Sequence, residues 1–500
     1  MINLACVNFI RGKYVSENNA VKSKIITVKD LLQNDKLQIP EYQRPYKWTT
    51  KNVNQLIDDI IFHKDKSAYR LGTLVLHRED KGSDGISAGN IIDNIVDGQQ
   101  RALTLTLIAY ALDLEQSKFN SSGVSSKNFK LLQQGFTSDI SQFNLQNNFK
   151  EIKRRIHEFG DDGGLINFFY EKCQLVQVVL TDISEAFQFF DSQNSRGKDL
   201  EPHDLLKAFH LREMANLTDA EKKKTVDAWE KITSTELVDL FGLYLYRIRQ
   251  WSNSYSARYF TKDDVGVFKG VNPQNERNYP YAQLSRIGYF YTESYNIHPH
   301  RLLDNQLLEY PFQIDQAVIN GKCFFEMVAH YHKLIRNVKK EFDETSHNQE
   351  TQSLNTSLSP RTDTSIKIQS ELRTYKGQHR LGDKYVKELF HCYLIYYVDK
   401  FGNEGFDKAI EKAFFWAYAL RLKMYAVHIA TLDNYALGAP DSLNQGKAVF
   451  KLMREALNPS DVLNIQLKEL DQKSDVRQLR DTGVFTLFFN IQNGGNKNVS

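Results

Sequence analysis

The sequence predicts an α+β protein with a small α/β domain over residues 1–215 and a mainly α-helical domain over residues 216–500. Three observations predict this class. Strand-like apolar runs alternate with helix-like runs in the first 215 residues, as they do in α/β domains. Beyond residue 216 the apolar residues recur mostly at helical spacing. The length of 500 residues also exceeds that of a usual single domain, which holds roughly 100–200 residues.

The elements of the first domain follow from the spacing of apolar residues. Residues 49–63 predict an amphipathic helix, and residues 69–77 and 91–96 predict strands. Residues 99–114 alternate in part like a strand, but their length and alanine content favour a helix. The stretch 117–147 is rich in Ser, Asn and Gln, and it predicts a mobile insertion or a loosely helical connection.

The remaining elements continue this pattern. Residues 173–181 predict a buried strand, 182–197 a short helix that ends at a glycine, and 201–216 a helix with a proline in its first turn. Three amphipathic helices are predicted in the second domain, over 321–342, over 383–402 and over 406–437 with a break. The polar stretch 344–365 between them predicts disorder.

Composition excludes several classes of protein. The four cysteines, Cys6, Cys173, Cys323 and Cys392, are far apart, which favours a reducing, cytoplasmic location over a disulfide framework or a zinc site. No apolar run approaches the roughly 20 residues of a membrane span, and the first residues lack the apolar core of a secretory signal. The formal net charge of +3 confines any DNA contact to a local patch.

The stretch "DNIVDGQQRALTLTL" carries five residues that point to chemistry. Asp97, Gly98, Gln99, Gln100 and Arg101 lie between a predicted strand and a predicted helix. Glycine allows close approach to the backbone, and the first amides of a helix favour an anion. Arginine suits phosphate, the two amides suit sugar or base edges, and the carboxylate suits Mg²⁺ or a water. A capped turn with a surface arginine explains the same five residues as well.

A second segment, "IPEYQRPYKW", sets Gln43 and Arg44 among aromatic residues that include Tyr46 and Trp48. Arginine beside aromatic rings suits a phosphate with a stacked base. The alternative is the aromatic edge of a core with Arg44 in a salt bridge.

A third segment, "FFDSQNSRGKDLEPHDLLKA", places Asn194, Arg196 and Gly197 at a predicted helix end. Polar groups there can cap a ligand. The alternative is ordinary capping of the helix C-terminus.

These three segments, in this order and together with "YRLGTLVL", resemble the DGQQR-motif family, which has a ParB/sulfiredoxin-like N-terminal domain and is best known from GmrSD-type modification-dependent (type IV) restriction systems. The resemblance covers roughly residues 25–215. It implies an α/β domain of ParB/sulfiredoxin type that binds and hydrolyses an NTP with Mg²⁺ and licenses DNA cleavage in antiviral defence.

The resemblance matches residues by position, and it does not settle which of them hydrolyse the nucleotide and which only bind it. The candidate catalytic residues are Asp97, Gln100 and Arg101, and Asp97 is the candidate ligand of Mg²⁺. The remaining motif residues would bind the nucleotide together with Arg101, and they are Gln43, Arg44, Tyr46, Trp48, Gly98, Gln99, Asn194, Arg196 and Gly197.

Single-chain members of this family carry an HNH-type nuclease domain, which the sequence does not show clearly. "NIHPHRLLDN" offers His298 as a weak nuclease candidate, and His428 is interpreted as a core or interfacial residue of a helix. The sequence therefore favours a sensor chain that works with a separate HNH-type nuclease subunit on plain or modified phage DNA, and it leaves a homo-oligomer open. Basic segments at 150–157, 333–340 and 421–425 are candidates for phosphate contact. A single-chain NTP-gated nuclease and a non-enzymatic ParB-like DNA-binding module remain alternatives.

Overall fold

The computed structural model describes 22–40, 43, 45–80, 91–115, 129–136, 138–159, 164–181, 201–214, 217–274, 279–304, 306–343, 362–439, 447–472, 475–476, 479–480 and 482–495. Contacts divide the chain into two compact units, which hold residues 1–199 with 215–226 and residues 200–214 with 227–500. The first unit is mixed α/β and the second is mainly helical, so the predicted fold class is confirmed.

The first unit contains short strands and helices in alternation. Its described strands are β1 Lys22–Thr27, β2 Leu37–Gln38, β3 Tyr69–Asp80, β4 Ile91–Asp97 and β5 Cys173–Leu180. Its described α-helices are α1 Val28–Gln33, α2 Thr50–Phe62, α3 Gln99–Glu115, α4 Asp139–Arg155 and α5 Gly164–Asn167, the last continuing as a π-turn over Phe168–Lys172. The strands and helices predicted around the DGQQR stretch and at 173–181 are thus confirmed. The helix predicted over 182–197 lies outside the described residues.

The described strands form one mixed sheet in the order β1-β5-β3-β4-β2. The central pair β3 and β5 is parallel, and each outer neighbour of that pair, β4 and β1, runs antiparallel to it. The short strand β2 pairs in parallel with β4. Register shifts in β3, between Arg70 and Gly72 and between Val75 and Leu76, mark bulges on the strand that faces the DGQQR turn.

The core of the first unit explains why residues 99–115 form a helix despite their alternating pattern. Residues 102 to 109 are all buried, so α3 is apolar on almost every side and carries no strong polar face. Its threonines satisfy their hydroxyls within the helix, where Thr104 donates to the carbonyl of Gln100 at 2.9 Å and Thr106 to that of Ala102 at 2.7 Å. A helix buried all round is typical of a domain core.

The polar stretch 117–147 is only partly a connection. Residues 139–155 form the regular helix α4, while 116–128 and 137 lie outside the described residues. Its serine and asparagine side chains bond to another segment of the same unit, as described below. Of the two predicted alternatives, the helical connection agrees with residues 139–147, which form a regular helix and not a mobile insertion.

The second unit is built from helices, with the described α-helices continuing the numbering. They are α6 Pro202–Arg212, α7 Asp219–Glu230 (shared with the first unit), α8 Ser234–Val238, α9 Tyr246–Ser252, α10 Gln283–Ile297, α11 Pro299–Leu303, α12 Lys322–Asp343, α13 Asp363–Thr374, α14 Leu381–Phe401, α15 Phe406–Lys423, α16 Ile429–Ala436, α17 Val449–Glu455, α18 Pro459–Leu463 and α19 Gly483–Gly495. A π-turn over Asp239–Leu245 joins α8 to α9, and 3₁₀ turns lie at Lys130–Leu132, Ile156–Phe159, Lys262–Phe268 and Pro280–Ala282.

Helices α14 and α15 form the centre of the second unit and are joined by a tight turn. The turn begins at Gly402 and ends at Gly405, both with positive φ, at 63° and 65°. The predicted helix end at Gly402 is confirmed. The core around them is aromatic, with Trp251, Trp416 and Tyr418 almost fully buried. Aromatic residues of this size bury large areas, which accounts for the high Phe and Tyr content.

Two expectations for the second unit need correction. The predicted helix 406–437 is broken, as expected, between α15 and α16, but His428 lies in that break as the N-cap of α16 and is exposed. It is therefore not a core histidine within a helix. The disorder predicted over 344–365 is wrong at its end, because Thr362 caps α13 and accepts a hydrogen bond from the amide of Ser365 at 3.2 Å. Residues 344–361 lie outside the described residues.

Two expectations from composition can be compared with the described residues. Cys173, Cys323 and Cys392 are buried thiols with no disulfide, and burial raises the pKa of Cys173 to about 12. Among the helices in the described part of the chain, none is long and apolar enough to cross a membrane.

Candidate functional site

The turn between β4 and α3 contains one residue, Gly98, and requires glycine for two reasons. Its φ is +91°, in the region that side chains disfavour. A Cβ added there would lie 2.9 Å from the carbonyl oxygen of Thr73 on β3. The first amides of α3 therefore begin directly against the sheet. An α-helix leaves its first N–H groups without intrahelical acceptors, which favours an anion at this end.

Arg101 lies in the first turn of α3, and its guanidinium packs onto β3 at Gly72. A Cβ added to Gly72 would lie 2.6 Å from Nη1 of Arg101, so only glycine leaves room for this arrangement. Nη1 also donates to the carbonyl of Thr73, at 3.3 Å. Gly72 has a φ of +121° and sits at the register shift of β3. The bulge and the glycine together form the seat of the guanidinium.

The electrostatics of Arg101 are those of a partly desolvated cation. Burial lowers its pKa, while the charges of Asp97 and Tyr69 act in the opposite direction. Arginine stays protonated in proteins, so the lowered pKa reports a poorly hydrated charge and not a neutral group. A poorly hydrated guanidinium interacts more strongly with an anion than one in bulk water does. This is the charge state that a phosphate site needs.

Gln43 connects the second predicted segment to the same place. Its Nε2 donates to the carbonyls of Ile95 and Val96 at the end of β4, both at 3.2 Å. The structure therefore brings Gln43, Gly98 and Arg101 to one end of the sheet, although Gln43 lies 55 positions before Gly98 and 58 before Arg101 in the chain. Two of the three predicted segments meet as expected.

Gln100 has a supporting role besides the catalytic one predicted for it. Its Oε1 accepts from the amides of Lys47 at 2.7 Å and Trp48 at 3.1 Å, and its Nε2 donates to the carbonyl of Pro45 at 3.2 Å. Gln100 thus holds the "QRPYKW" segment against α3 through both ends of its amide. The predicted catalytic role of Gln100 stays a prediction.

Tyr46 likewise acts as a support. Its ring is fully buried, and its hydroxyl lies 2.7 Å from Oγ1 of Thr104 and accepts from Asn148 at 3.0 Å. Its amide donates to Ser141 Oγ at 2.9 Å, and its carbonyl accepts from Asn144 at 2.9 Å. A ring that stacks on a base needs an exposed face, which Tyr46 does not offer. The nucleotide-stacking prediction is corrected here because the ring fills the core.

The remaining described motif residues stand around this support. Trp48 is half-buried against the core, and its carbonyl accepts from Asn148 at 2.7 Å. Gln99 is buried beside Gln100. Asp97, at the end of β4, is partly exposed and contributes its charge to Arg101. Binding roles for these three residues stay predictions.

Four predicted site residues, Arg44, Asn194, Arg196 and Gly197, lie outside the described residues. Their convergence on Arg101 stays a prediction. Within the described ranges, no group of three or more His, Cys, Asp or Glu side chains is placed to hold a metal ion. One carboxylate such as Asp97 still fits Mg²⁺, which proteins often hold through one or two carboxylates together with substrate phosphates.

The weak candidates from the sequence do not form a recognisable site. His298 is an exposed N-cap of α11, with its ring centre 5.3 Å from that of His300. In two of the basic segments a key arginine is buried and paired. Arg155 lies 2.7 Å from Asp58, and Arg421 lies 3.0 Å from Asp383. These two arginines support the fold and are not available to phosphate.

Sequence reasoning missed the groups that build the seat and the support. Gly72, Thr104, Ser141, Asn144 and Asn148 each shape the site without belonging to a motif. Only Gly72 gave a signal, since a glycine inside a strand pattern indicates a bulge or a close approach.

Comparison with protein families identifies the type of the N-terminal domain. A family model described as the GmrSD restriction endonuclease N-terminal domain matches residues 28–211, which contain Gln43, Gly98 and Arg101. This match supports a restriction-type role in defence against phage. A second model, described as a family of unknown function (DUF7834), matches residues 221–481, more than half of the chain. The chain therefore belongs to that family and carries a GmrSD-type domain before the matched region. A search of curated proteins finds none that matches it.

Proposed function

We propose that this chain is the NTP-binding sensor of a GmrSD-like, modification-dependent restriction system and that it controls a nuclease on a separate chain. One observation carries the proposal: the guanidinium of Arg101, in the first turn of α3, packs against Gly72 of β3, at the end of the sheet where Gln43 bonds to β4. The GmrSD-type match over residues 28–211 supports it, because all three residues lie within the matched region.

The triphosphate would lie across the first turn of α3. The first amides of α3 and the helix dipole stabilise negative charge there, and Arg101 adds a partly desolvated guanidinium. In this proposal Arg44 supplies a second guanidinium, since its neighbours Gln43 and Pro45 are bonded to the end of β4 and to α3. Two guanidiniums on one triphosphate give bidentate, charge-assisted hydrogen bonds.

Hydrolysis would depend on fewer residues than the sequence suggested. Asp97 would hold Mg²⁺ or orient a water, and Arg101 would stabilise charge on the transferred phosphoryl group. Gln100 acts indirectly, by holding residues 45–48 in place. A bound Mg²⁺ would neutralise part of the negative charge of the phosphates.

The proposal includes a separate nuclease subunit and phage DNA as the cue. It rests on the family resemblance, since the sequence shows no clear HNH-type nuclease motif. The helical unit, which belongs to the DUF7834 family, would carry the coupling to the nuclease.

Phosphate release by the purified chain tests the proposal. Each of the four NTPs would be supplied with Mg²⁺, with and without plain or modified phage DNA. We expect one NTP to be hydrolysed, and Asp97→Asn and Arg101→Ala to abolish hydrolysis. Asp65→Asn, an exposed carboxylate of the same unit, serves as the control. The proposal fails if no NTP is bound or hydrolysed.

Two further outcomes identify the alternatives. Nucleotide binding without phosphate release, together with salt-sensitive DNA affinity, would indicate a switchable DNA-binding module. Cleavage of DNA by the lone chain that is lost in His298→Ala would indicate a single-chain nuclease.

A further inference from the structure

A cavity opens on the sheet of the first unit, away from the DGQQR turn. It has a volume of about 490 Å³ and lies between the β1, β5, β3 and β4 strands and the turn that follows α1. Its lining contains none of the described motif residues and approaches the first site only through Leu74. Ligand pockets usually measure roughly 300–1,000 Å³, so the cavity has the size of one small-molecule site.

The centre of the cavity is a buried glutamine that the fold does not use. Gln177 on β5 is 5% exposed and lines the cavity, with Lys24 and Leu74 opposite it on the neighbouring strands. Among the described residues its side-chain amide has no hydrogen-bond partner, whereas Gln174 on the other face of β5 bonds to Arg70. Its amide atoms are not among the fully buried side-chain atoms that lack a partner, so they face the open cavity, where water or a ligand can complete their hydrogen bonds.

An ordered arginine stands beside this glutamine. Arg78 on β3 donates to both oxygens of Asp93 on β4, from Nε at 2.7 Å and from Nη2 at 2.8 Å. Asp93 is 1% exposed, so the pair is fixed in place, and both residues line the cavity. These two hydrogen bonds hold the guanidinium of Arg78 rigid, while its Nη1 has no partner among the described residues. A donor held in this way is suited to a planar polar ligand.

The rest of the lining divides into apolar walls and a charged rim. Ile26, Leu31, Leu74 and Val179 form the apolar part. The rim carries both signs of charge, since Lys24 and Lys36 are exposed there beside the carboxylates of Asp30 and Asp35. Within the described chain neither ammonium has a salt-bridge partner. Apolar walls suit the faces of a heterocycle, and lysines suit a phosphate. Glutamine and arginine are the side chains that pair with purine and pyrimidine edges.

We propose that this cavity binds one nucleoside phosphate, with the base edge on Gln177 and Arg78 and the phosphate on Lys24 and Lys36. It is a second nucleotide site, separate from the proposed NTP site at Arg101. The ligand is either a free nucleotide or one nucleotide of DNA turned out of its duplex. Extrusion costs least at a mismatched position, which gives a means of separating the two sources.

Calorimetric titration of the full chain with each of the four deoxynucleoside 5′-monophosphates tests the inference. It is run in the wild type and in Arg101→Ala, where the proposed NTP site is disabled. We expect one monophosphate to bind at one site in both proteins. Gln177→Leu should weaken it at least about tenfold, and removal of Lys24 and Lys36 should weaken it less. Gln174→Leu, on the other face of the same strand, is the matched control and should leave binding unchanged.

Stability separates a ligand site from a structural role. Because Gln177 bonds to nothing described in the protein, Gln177→Leu should melt at the wild-type temperature or above it. A large fall in melting temperature would show that the amide serves the fold and would contradict the inference.

A mismatched duplex and its matched counterpart then identify the source of the ligand. Competition by the mismatched duplex in the wild type but not in Gln177→Leu assigns the site to DNA, and no competition assigns it to the free nucleotide. The inference is overturned if neither monophosphates nor DNA bind in a way that depends on Gln177. Failure of the proposed function would appear elsewhere, as absent triphosphate binding in the wild type.

Discussion

The guanidinium of Arg101 occupies the space that a side chain at position 72 would fill. A Cβ at position 72 would lie 2.6 Å from Nη1 of Arg101 and 2.9 Å from its Cζ, and both distances are too short for a real contact. Position 72 therefore decides where the central cation of the proposed site can lie. This relationship joins a residue in a motif to one outside any motif.

Replacement of Gly72 by alanine should displace Arg101 and strain β3. The clash with Arg101 adds to the cost of a φ of +121°, which is on the order of 1–3 kcal/mol for a side chain. We expect lower stability in denaturant unfolding and nucleotide binding weakened at least about tenfold. Gly135→Ala, where an added Cβ meets nothing within 4 Å, is the control and should be nearly neutral.

Adding Arg101→Ala to the Gly72→Ala protein isolates the clash. The double variant should be more stable than Gly72→Ala alone, since the side chain that collides has been removed. It should bind nucleotide no worse than Arg101→Ala does. Equal stability of the double variant and Gly72→Ala would show that Arg101 does not depend on the glycine seat.

Gln100→Ala should destabilise the first unit, because three hydrogen bonds to residues 45–48 are lost and backbone groups are left unpaired. The expected loss is about 2–3 kcal/mol in the free energy of unfolding. Gln55→Ala, at an exposed position of α2, should change it by about 0.5 kcal/mol or less. A stable Gln100→Ala protein that had lost only hydrolysis would support the catalytic role predicted from the sequence.

Tyr46→Phe should reduce stability and leave nucleotide affinity almost unchanged. The hydroxyl bonds to Thr104 and Asn148 inside the core, and its removal should cost about 1–2 kcal/mol. Thermal unfolding and a nucleotide titration measure the two effects. Lost affinity in a protein of unchanged stability would place Tyr46 in the binding site.

The second unit should become less stable as the pH rises from about 4 to 7, because of Asp399. Burial raises the pKa of Asp399 to about 7, and the charge of Asp315 adds to this effect. Between the unfolded and folded pKa values the unfolded chain has released the proton and the folded chain has kept it, so stability falls as pH rises and levels off above pH 7. Hydrogen exchange of Leu381–Phe401 measures this change, which should be a few kcal/mol.

Asp399→Asn should remove most of that pH dependence and raise stability at pH 8, because the amide stays neutral. Asp304→Asn, an exposed carboxylate of the same unit, is the control. An unchanged pH profile in Asp399→Asn would exclude Asp399 as the cause.

The fold around the site could be predicted because its elements have clear periodicity. The strands that end at Asp97 and begin at Cys173, and the helices α2 and α3, follow from the spacing of apolar residues. The glycine turn at Gly98 also follows from the residue itself, since few other residues tolerate its φ of +91°.

The sequence could not predict which motif residues bind a ligand and which support the fold, because it does not show which polar side chains face inward. Gln100 and Tyr46 have the chemistry of a binding site and are used to fix a loop. The sequence of helix α4 is typical of a polar connection because its Asn144 and Asn148 side chains donate hydrogen bonds to the backbone of the loop that they support. Composition alone does not distinguish a polar side chain that bonds to water from one that bonds to another part of the protein.

The affinity of each NTP for the wild type and for Arg101→Ala tests the central claim most directly. Arg70→Ala removes an exposed arginine from the same neighbourhood of β3 and serves as the charge-matched control. We predict that the dissociation constants of one NTP for the wild type and for Arg70→Ala agree within about twofold. The same NTP should bind Arg101→Ala at least about tenfold more weakly, which is a loss of about 1.4 kcal/mol or more in binding free energy. Equal binding to wild type and Arg101→Ala, or no binding of any NTP to the wild type, would contradict it.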